Sequence, residues 1–154
     1  MSNLILCGFM GCGKTSLGQV FSKMTGQQFV DTDMLIEQSE QMAIPEIFEK
    51  HGEEYFRKLE LNLAMILSTN DNCVIATGGG FLLHDSIADI LRGTGDILFI
   101  DCEFEDCYER IRETDRPLVK QKSKEELLAL FNERRPQYLS ICTERIDPNG
   151  LPQE

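Results

Sequence analysis

The chain has 154 residues, 42% of them hydrophobic, a length that suits one domain with one core over residues 1–154. Its 15 basic and 26 acidic residues give a net charge of −11, which disfavours nucleic-acid binding because Lys and Arg contacts to phosphate dominate that affinity. No apolar run reaches the roughly 18 residues of a membrane helix, and the N-terminus lacks the basic stretch of a signal peptide, so we expect a cytoplasmic protein without membrane contacts.

Short apolar runs alternate with longer amphipathic segments along the chain, which is typical of an α/β fold. Strands are predicted at residues 3–7, 28–31, 73–76 and 97–100, with a further short strand around 145–147. Helices are predicted at residues 14–24, 34–41, 45–50, 53–68, 85–91, 103–112 and 123–135. Ser123 and Glu126 have the spacing of a capping box at the start of the last helix. The polar segment 113–122 is predicted to be a loop, either a surface connection or a mobile lid.

Six cysteines are present, none of them in a C-x-x-C pair, beside only two histidines. This composition does not predict a zinc site. Cys7 and Cys73 lie in apolar, strand-like runs and are expected to act as small buried hydrophobic residues. In a cytoplasmic protein we expect no structural disulfide.

A phosphate-binding motif follows the first strand. Residues 8–15, GFMGCGKT, match the pattern G-x-x-x-x-G-K-[ST] in full, between an apolar strand and an amphipathic helix. The glycines let successive N–H groups point at an anion, and the helix adds its positive N-terminal end. Lys14 is expected to reach the β- and γ-phosphates and Thr15 to place its hydroxyl on Mg²⁺. The motif alone does not choose a reaction, but the short chain favours a small-metabolite or nucleoside kinase.

Two carboxylates, Asp31 and Asp33, follow the second predicted strand. In a parallel sheet this is the ligand-binding edge, beside the phosphate-binding loop. One carboxylate is suited to bind Mg²⁺, and the other to accept a proton from a substrate hydroxyl. The competing interpretation is that Asp31 and Thr32 only cap the next helix.

Four further features allow either an ordinary or a functional interpretation when each is taken alone. Arg57 and Glu60 have the i, i+3 spacing of a surface ion pair. Gly78 to Gly80 end a buried strand, where they permit close backbone approach by a ligand. Arg116 lies in the polar segment, where an arginine can swing onto a transferring phosphoryl group. Arg134 stands four residues before Tyr138 on the last helix.

In this order, the motifs resemble those of the shikimate kinases, and the resemblance covers nearly the whole chain. It implies a three-layer α/β/α sandwich with a five-stranded parallel sheet, of the nucleoside-monophosphate-kinase type. It also implies ATP-dependent phosphorylation of a shikimate hydroxyl, giving shikimate 3-phosphate and ADP in aromatic amino-acid (chorismate) biosynthesis. ATP and Mg²⁺ are the implied cofactors, shikimate is the partner, and we expect a monomer.

The resemblance assigns roles to single residues. Asp33 would hold the acceptor hydroxyl and act as base, while Lys14 and Arg116 would stabilise the γ-phosphoryl group. Thr15 and Asp31 would bind Mg²⁺. The implied acceptor site, within a region of about 33–61 and beyond it, comprises Asp33, Phe48, Phe56, Arg57, Glu60, Gly78, Gly79, Gly80 and Arg134. The implied nucleotide site comprises Gly11, Cys12, Gly13, Lys14, Thr15, Ser16, Arg110, Arg112 and Arg116.

Two features depart from the family's pattern. The segment between Arg112 and Arg116 is short for the lid, which we place at about 112–122. The family usually ends in a helix after its last strand, whereas residues 151–154 end this chain shortly after the fifth predicted strand. That region helps to build the adenine pocket, and either Arg110 or Arg112 is suited to stack on adenine.

Two alternative functions stay open at this point. The first is a kinase for another small hydroxy acid such as gluconate. Binding of a carboxylate by Arg57 and Arg134 does not exclude this acceptor. The second is a non-catalytic nucleotide-binding module. This alternative is disfavoured by the presence of Asp33, Lys14 and Arg116.

Overall fold

The computed structural model describes residues 2–84 and 86–148. The strands in these ranges are β1 Asn3–Cys7, β2 Gln28–Asp31, β3 Cys73–Ala76, β4 Gly95–Ile100 and β5 Glu144–Ile146. They form one sheet in the order β2-β3-β1-β4-β5, and every neighbouring pair is parallel. All five carboxyl ends therefore meet at one edge, with the loop after β1 at the centre of the sheet.

The helices in the same ranges are α1 Lys14–Thr25, α2 Thr32–Glu40, α3 Ile44–Leu67, α4 Ile87–Arg92, α5 Phe104–Ile111, α6 Pro117–Gln121 and α7 Lys124–Ile141. A short 3-10 turn, Phe81–Leu83, follows β3. Within the described ranges, no helix combines the length and the hydropathy needed to cross a bilayer.

Alternate residues of the central strands enter two separate hydrophobic clusters, because successive side chains of a strand point to opposite faces. Ile5 and Ile75 pack on one face, and Leu6 and Val74 pack on the other. The first cluster is completed by helical residues that include Ala64, Leu67, Leu91 and Tyr138, and the second by Phe104, Ile111 and Leu127. The predicted three-layer sandwich with a five-stranded parallel sheet is confirmed.

The two helices predicted at 45–50 and 53–68 form one element, α3, that is interrupted between them. Gly52 has φ 85° and ψ 172°, a conformation that is essentially restricted to glycine. The chain therefore changes direction at Gly52, and the segments before and after it keep the predicted bounds to within one residue.

Several predicted bounds were wrong. The segment 113–122, predicted to be a loop, contains α6, in which Pro117 takes a first-turn position that needs no N–H group. α2 begins at Thr32 rather than at residue 34, because the Asp31 side chain caps it. β4 begins two residues before the predicted start. The helix predicted at 85–91 is observed as Ile87–Arg92; its first residue, Asp85, and the chain end at 149–154 lie outside the described residues.

α7 runs past its predicted end at residue 135 and continues through Pro136 to Ile141. Proline lacks the N–H group that a helix interior uses, which normally ends or kinks a helix. Here Tyr138 is fully buried, its ring stacks on Phe99 at 5.2 Å, and its hydroxyl donates to the Gly79 carbonyl. These contacts hold the turn after Pro136 in place.

Candidate active site

The loop between β1 and α1 forms a cradle at the carboxyl edge of the sheet. Gly11 and Gly13 have φ values of 80° and 96°, in the left-handed region that favours glycine. A Cβ at Gly11 would also lie 2.7 Å from the Cys107 carbonyl oxygen, so a side chain cannot be accommodated there. Lys14 Nζ donates to the carbonyl oxygens of Gly8 at 2.6 Å and Phe9 at 3.3 Å, which holds the ammonium group over the loop.

A cavity of about 320 Å³, the phosphate cavity, opens above this loop. Arg110 lines the cavity and donates from Nη1 to the Gly11 carbonyl oxygen at 2.6 Å. Arg112 instead pairs with Glu109 on the exposed side of α5, with Nε 3.6 Å from Oε2, and is not among the residues that line the cavity. Of the two arginines suggested for the adenine contact, Arg110 is the one that lines the phosphate cavity.

Asp31 uses one carboxylate oxygen to cap α2 and the other to contact Thr15, so capping does not exclude the predicted Mg²⁺ role. Its Oδ1 accepts from the N–H groups of Asp33 at 3.0 Å and Met34 at 3.2 Å, which caps α2. Its Oδ2 accepts from the Thr15 hydroxyl at 3.1 Å, beside the phosphate cradle. The oxygens of Thr15 and Asp31 are hard donors of the kind that Mg²⁺ prefers, so this pair fits the ion.

Asp33 lies where the phosphate cavity meets a second cavity of about 240 Å³, the acceptor cavity, and it lines both. Burial, reinforced by the neighbouring Asp31 carboxylate, raises the pKa of Asp33 to about 6, although Lys14 and Arg116 act in the opposite direction. A Cβ at position 78 would lie 2.6 Å from Asp33 Oδ1, so Gly78 is what allows the carboxylate to sit here. A carboxyl group with this pKa is suited to accept a proton near neutral pH.

Two guanidinium groups, those of Arg57 and Arg134, flank the glycine segment on the other side of the acceptor cavity. A Cβ at Gly80 would lie 3.2 Å from Arg57 Nη1 and 3.5 Å from Arg134 Nη2. Both arginines line the acceptor cavity, and we call them the arginine pair. Phe48 and Phe56, whose ring centroids are 4.9 Å apart, form an apolar wall. The cavity thus combines an end that carries two guanidinium groups with an apolar side.

Comparison with known proteins addresses which family uses this arrangement. The family model described as "Shikimate kinase" matches residues 10–154. A shikimate kinase from Caldanaerobacter subterraneus subsp. tengcongensis is 44% identical over 140 residues, which cover 90% of this chain and 82% of that protein. This chain belongs to the shikimate kinase family.

Solved structures agree with the family assignment. The shikimate kinase from Acinetobacter baumannii, determined in complex with shikimate, superposes with a TM-score of 0.90 at 31% identity, covering 100% of this chain and 86% of the other. A gluconokinase from Sinorhizobium meliloti superposes with a TM-score of 0.56 at 17% identity, covering 98% of this chain and 84% of the other, which shows a shared fold alone. The gluconate alternative is therefore not favoured.

The structure brings together almost all positions that the shikimate kinase resemblance singled out. Arg112 is the exception, because its side chain pairs with Glu109 and does not line the phosphate cavity. The residues that line the phosphate cavity include Gly11, Cys12, Gly13, Lys14, Thr15, Ser16, Asp31, Asp33, Arg110 and Arg116. The residues that line the acceptor cavity include Asp33, Phe48, Phe56, Arg57, Glu60, Gly78, Gly79, Gly80, Arg116 and Arg134.

Two residues near the site were missed by the sequence analysis. Thr32 is fully buried, and its hydroxyl accepts from the Gly78 N–H group at 3.0 Å, which ties the end of β2 to the glycine segment. His84 lies beside the arginine pair, with Nε2 2.8 Å from Glu60 Oε1 and 3.0 Å from Arg57 Nη1. Thr32 was considered only as a helix cap, and His84 belongs to none of the motifs, so no local signal pointed to either contact.

A larger cavity, of about 930 Å³, lies at the opposite edge of the sheet. It is lined by residues at the amino ends of strands, such as Gln28 and Cys73, and by none of the predicted site residues. Ligands of open parallel sheets bind at the carboxyl ends of the strands, so the phosphate and acceptor cavities form the candidate active site.

Proposed function

We propose that this chain transfers the γ-phosphoryl group of ATP to a hydroxyl of shikimate, giving shikimate 3-phosphate and ADP in aromatic amino-acid biosynthesis. One observation carries the proposal: Asp33 lies at the junction of the two cavities, and the arginine pair lies in the acceptor cavity beyond it. A hydroxy acid bound by its carboxylate to the arginine pair would present a hydroxyl towards Asp33. Arginine suits this task because its planar guanidinium group binds a carboxylate through two donors.

The residues divide the work of the transfer. Asp33 accepts the proton of the acceptor hydroxyl. The hydroxyl oxygen of the acceptor forms the new bond to the γ-phosphorus. The bond from that phosphorus to the bridging oxygen breaks, and its electron pair leaves with ADP. Lys14 and Arg116 stabilise the charge on the transferring group. Mg²⁺, when bound, neutralises charge on the phosphate oxygens, and Thr15 and Asp31 would hold it.

The positions of the residues around the two cavities also support a proposal for the domain organisation of the chain. Residues 1–154 form one catalytic domain, with the acceptor region at about 33–61 and a short lid at about 112–122. Arg116 and Pro117 belong to the proposed lid and line the acceptor cavity, which supports this assignment. We propose further that the enzyme works as a monomer in the cytoplasm.

The experiment that tests the function is ADP production with Mg²⁺ and ATP, measured with shikimate, with gluconate and without an acceptor. We expect ADP formation to depend on shikimate, and phosphorus NMR to show a phosphate monoester in equal amount. Equal rates with gluconate, or ADP formation that ignores the acceptor, would refute the proposal.

A further inference from the structure

His84 enters the site from a fixed point on the backbone. It follows the 3-10 turn after Gly80, in which the Leu83 N–H group donates to the Gly80 carbonyl oxygen at 3.2 Å. Phe81 and Leu82 are almost completely buried and anchor that turn. His84 itself is not among the residues that line the acceptor cavity, so it stands behind the arginine pair rather than against the acceptor.

Three polar atoms form a closed triangle at this point. Arg57 Nη1 lies 2.7 Å from Glu60 Oε1 and 3.0 Å from His84 Nε2, and His84 Nε2 lies 2.8 Å from Glu60 Oε1. The guanidinium nitrogen carries two hydrogens and can donate twice. The Nε2 atom of a neutral imidazole either donates or accepts, so it can form only one of its two contacts as a hydrogen bond.

The donor form of Nε2 satisfies the triangle better. The Glu60 side chain is only 2% exposed, and a buried carboxylate needs several donors to offset its lost hydration. An acceptor Nε2 would place its lone pair 2.8 Å from the carboxylate oxygen, where the two repel each other. A donor Nε2 gives Glu60 a second hydrogen bond, and the shorter of its two contacts is the one to Glu60.

This second donor affects how Arg57 is held. Arg57 contacts Glu60 through Nη1 alone and Glu53 through Nη2 at 3.2 Å, which uses two of the five guanidinium hydrogens. An arginine beside a carboxylate with no other donor favours the two-nitrogen fork, which would draw further hydrogens towards Glu60. His84 Nε2 and Arg57 Nη1 both contact Glu60 Oε1, so the imidazole limits how far the guanidinium group can turn towards that oxygen.

We infer that His84 is a positioning residue for acceptor binding, which by donating from Nε2 to Glu60 keeps the Arg57 guanidinium turned towards the acceptor carboxylate. This inference rests on the proposed function for the nature of the acceptor. It assigns His84 no contact with the acceptor or with ATP.

The kinetic test compares two substitutions of His84. His84→Leu keeps much of the side-chain volume but removes the donor, and it should raise the KM for shikimate about tenfold or more. The kcat and the KM for ATP should stay within about twofold, because the change affects acceptor binding alone. His84→Gln places an amide N–H near the position of Nε2 and should restore most of the acceptor affinity. A normal shikimate KM in His84→Leu, or a Gln variant as impaired as the Leu variant, overturns the inference.

His51 provides a matched control, since it is the other of the two histidines. It is exposed, its ring stacks on Tyr55 at 4.4 Å, and it is not among the residues that line either cavity. His51→Leu should leave both KM values unchanged. A similar loss of acceptor affinity in this variant would mean that removing any histidine disturbs the protein, and the inference would fail.

The tautomer of His84 provides a second readout, in the unmodified protein. Nitrogen-15 NMR of the imidazoles, assigned with the His51→Leu variant, should find the hydrogen of His84 on Nε2. A hydrogen on Nδ1 would make Nε2 an acceptor and overturn the inference, whatever the stability of the Leu variant. If the wild-type protein forms no ADP with shikimate, the proposed function fails, and the tautomer still decides whether His84 donates to Glu60.

Discussion

At the scale of single residues, the acceptor end of the site is an arrangement of unlike charges around a glycine segment. The positive charge of Arg57 is balanced locally by Glu60, which is buried, and by Glu53, which is exposed. Glu60 and Glu53 each accept from one guanidinium nitrogen of Arg57, so these two contacts use two of its five hydrogens. The geometry of the donors therefore matters here as well as the charge.

Replacement of either member of the arginine pair by Lys should impair acceptor binding although the charge is kept. Lys cannot offer the planar two-donor fork, and losing a charge-assisted hydrogen bond costs about 1.5–3 kcal/mol, or roughly ten- to over a hundredfold in affinity. We expect Arg57→Lys and Arg134→Lys to raise the KM for shikimate far more than the KM for ATP. The two effects should be non-additive if, as proposed, both side chains bind one carboxylate.

Arg92 offers a matched control for these variants, because it pairs with Asp89 on the surface of α4. Arg92→Lys should leave the KM for shikimate unchanged. If Arg57→Lys and Arg134→Lys behave like this control, and a neutral amide analogue of shikimate reacts as well as the acid, the carboxylate assignment is wrong.

Asp33 should control the acidic side of the pH–activity profile. Because its pKa is raised to about 6, the carboxylate that accepts the proton is lost as the pH falls through that value. We expect kcat/KM to decline below about pH 6 and Asp33→Asn to lack turnover at any pH. A profile that stays flat down to pH 5 would contradict the role of Asp33 as base.

The same residue should make the fold less stable when it ionises. Its folded pKa of about 6 lies above the ordinary value of 3.8, so the folded state holds the proton more tightly, and stability is lost as the pH rises from about 4 through 6. Asp33→Asn removes this cost and should be more stable than the wild type at pH 8, by up to about 3 kcal/mol. Urea unfolding at pH 8 and at pH 4 measures the difference, which should nearly vanish at the lower pH. Equal stabilities at pH 8 would show that the carboxylate is not desolvated as described.

At the scale of elements, the interruption of α3 shapes the acceptor cavity. The segment before Gly52 carries Phe48, and the segment after it carries Phe56 and Arg57. The angle between the segments determines how the two aromatic rings pack together to form the apolar wall. The end of α7 plays a corresponding part, since the burial of Tyr138 fixes the turn that presents Arg134.

Gly52→Ala should lower both stability and acceptor affinity. A Cβ at Gly52 meets no atom within 4 Å, so the cost is that of the backbone conformation, about 1–3 kcal/mol. Relief of that strain would change the angle within α3 and should raise the KM for shikimate. Urea unfolding and steady-state kinetics measure the two effects.

Gly26 is the matched control for Gly52. It has φ 75° at the end of α1, and a Cβ there also meets nothing within 4 Å. Gly26→Ala should cost about 1 kcal/mol of stability and leave the KM for shikimate unchanged. If the two alanine variants show the same KM, the interruption of α3 does not shape the acceptor cavity.

At the scale of the whole molecule, the site gathers basic groups in a strongly negative protein, beside the carboxylates of Asp31, Asp33, Glu37, Glu60 and Asp115. The net charge is −11, yet Lys14, Arg57, Arg110, Arg116 and Arg134 all line the two cavities. Both substrates are anions, and the field of the whole chain repels them at long range. Attraction of these anions to the basic groups therefore has to act within the cavities themselves.

The core can be checked through its thiols. All six cysteines are free; five are buried, and Cys142 is partly exposed. Burial raises the pKa of the Cys7 and Cys107 thiols, which lowers their reactivity further. We expect a thiol reagent to modify Cys142 first in the native protein and all six residues after unfolding without reductant. Rapid reaction of several thiols in the native protein would contradict the packing described.

The sequence by itself determined the features that depend on short stretches of chain. β1, β2 and β3 were predicted with the observed bounds, because short strand-like runs between turn signals suffice to identify a strand. The capping box of Ser123 and Glu126 is confirmed for the same reason, since both partners lie within one helical turn. The order of the motifs was also enough to identify the family.

Only the tertiary structure decided the features that depend on contacts between distant segments. His84 meets Glu60 across 24 residues of chain, and Gly78 meets Thr32 across 46. α7 continues through Pro136 because Tyr138 is held by Phe99 and by the Gly79 carbonyl group, which belong to other elements. Arg110 rather than Arg112 reaches the phosphate cavity because α5 turns one side chain towards Gly11 and the other outward. Local sequence patterns cannot predict such partners, because burial and hydrogen bonding between these segments arise only once the sheet brings them together.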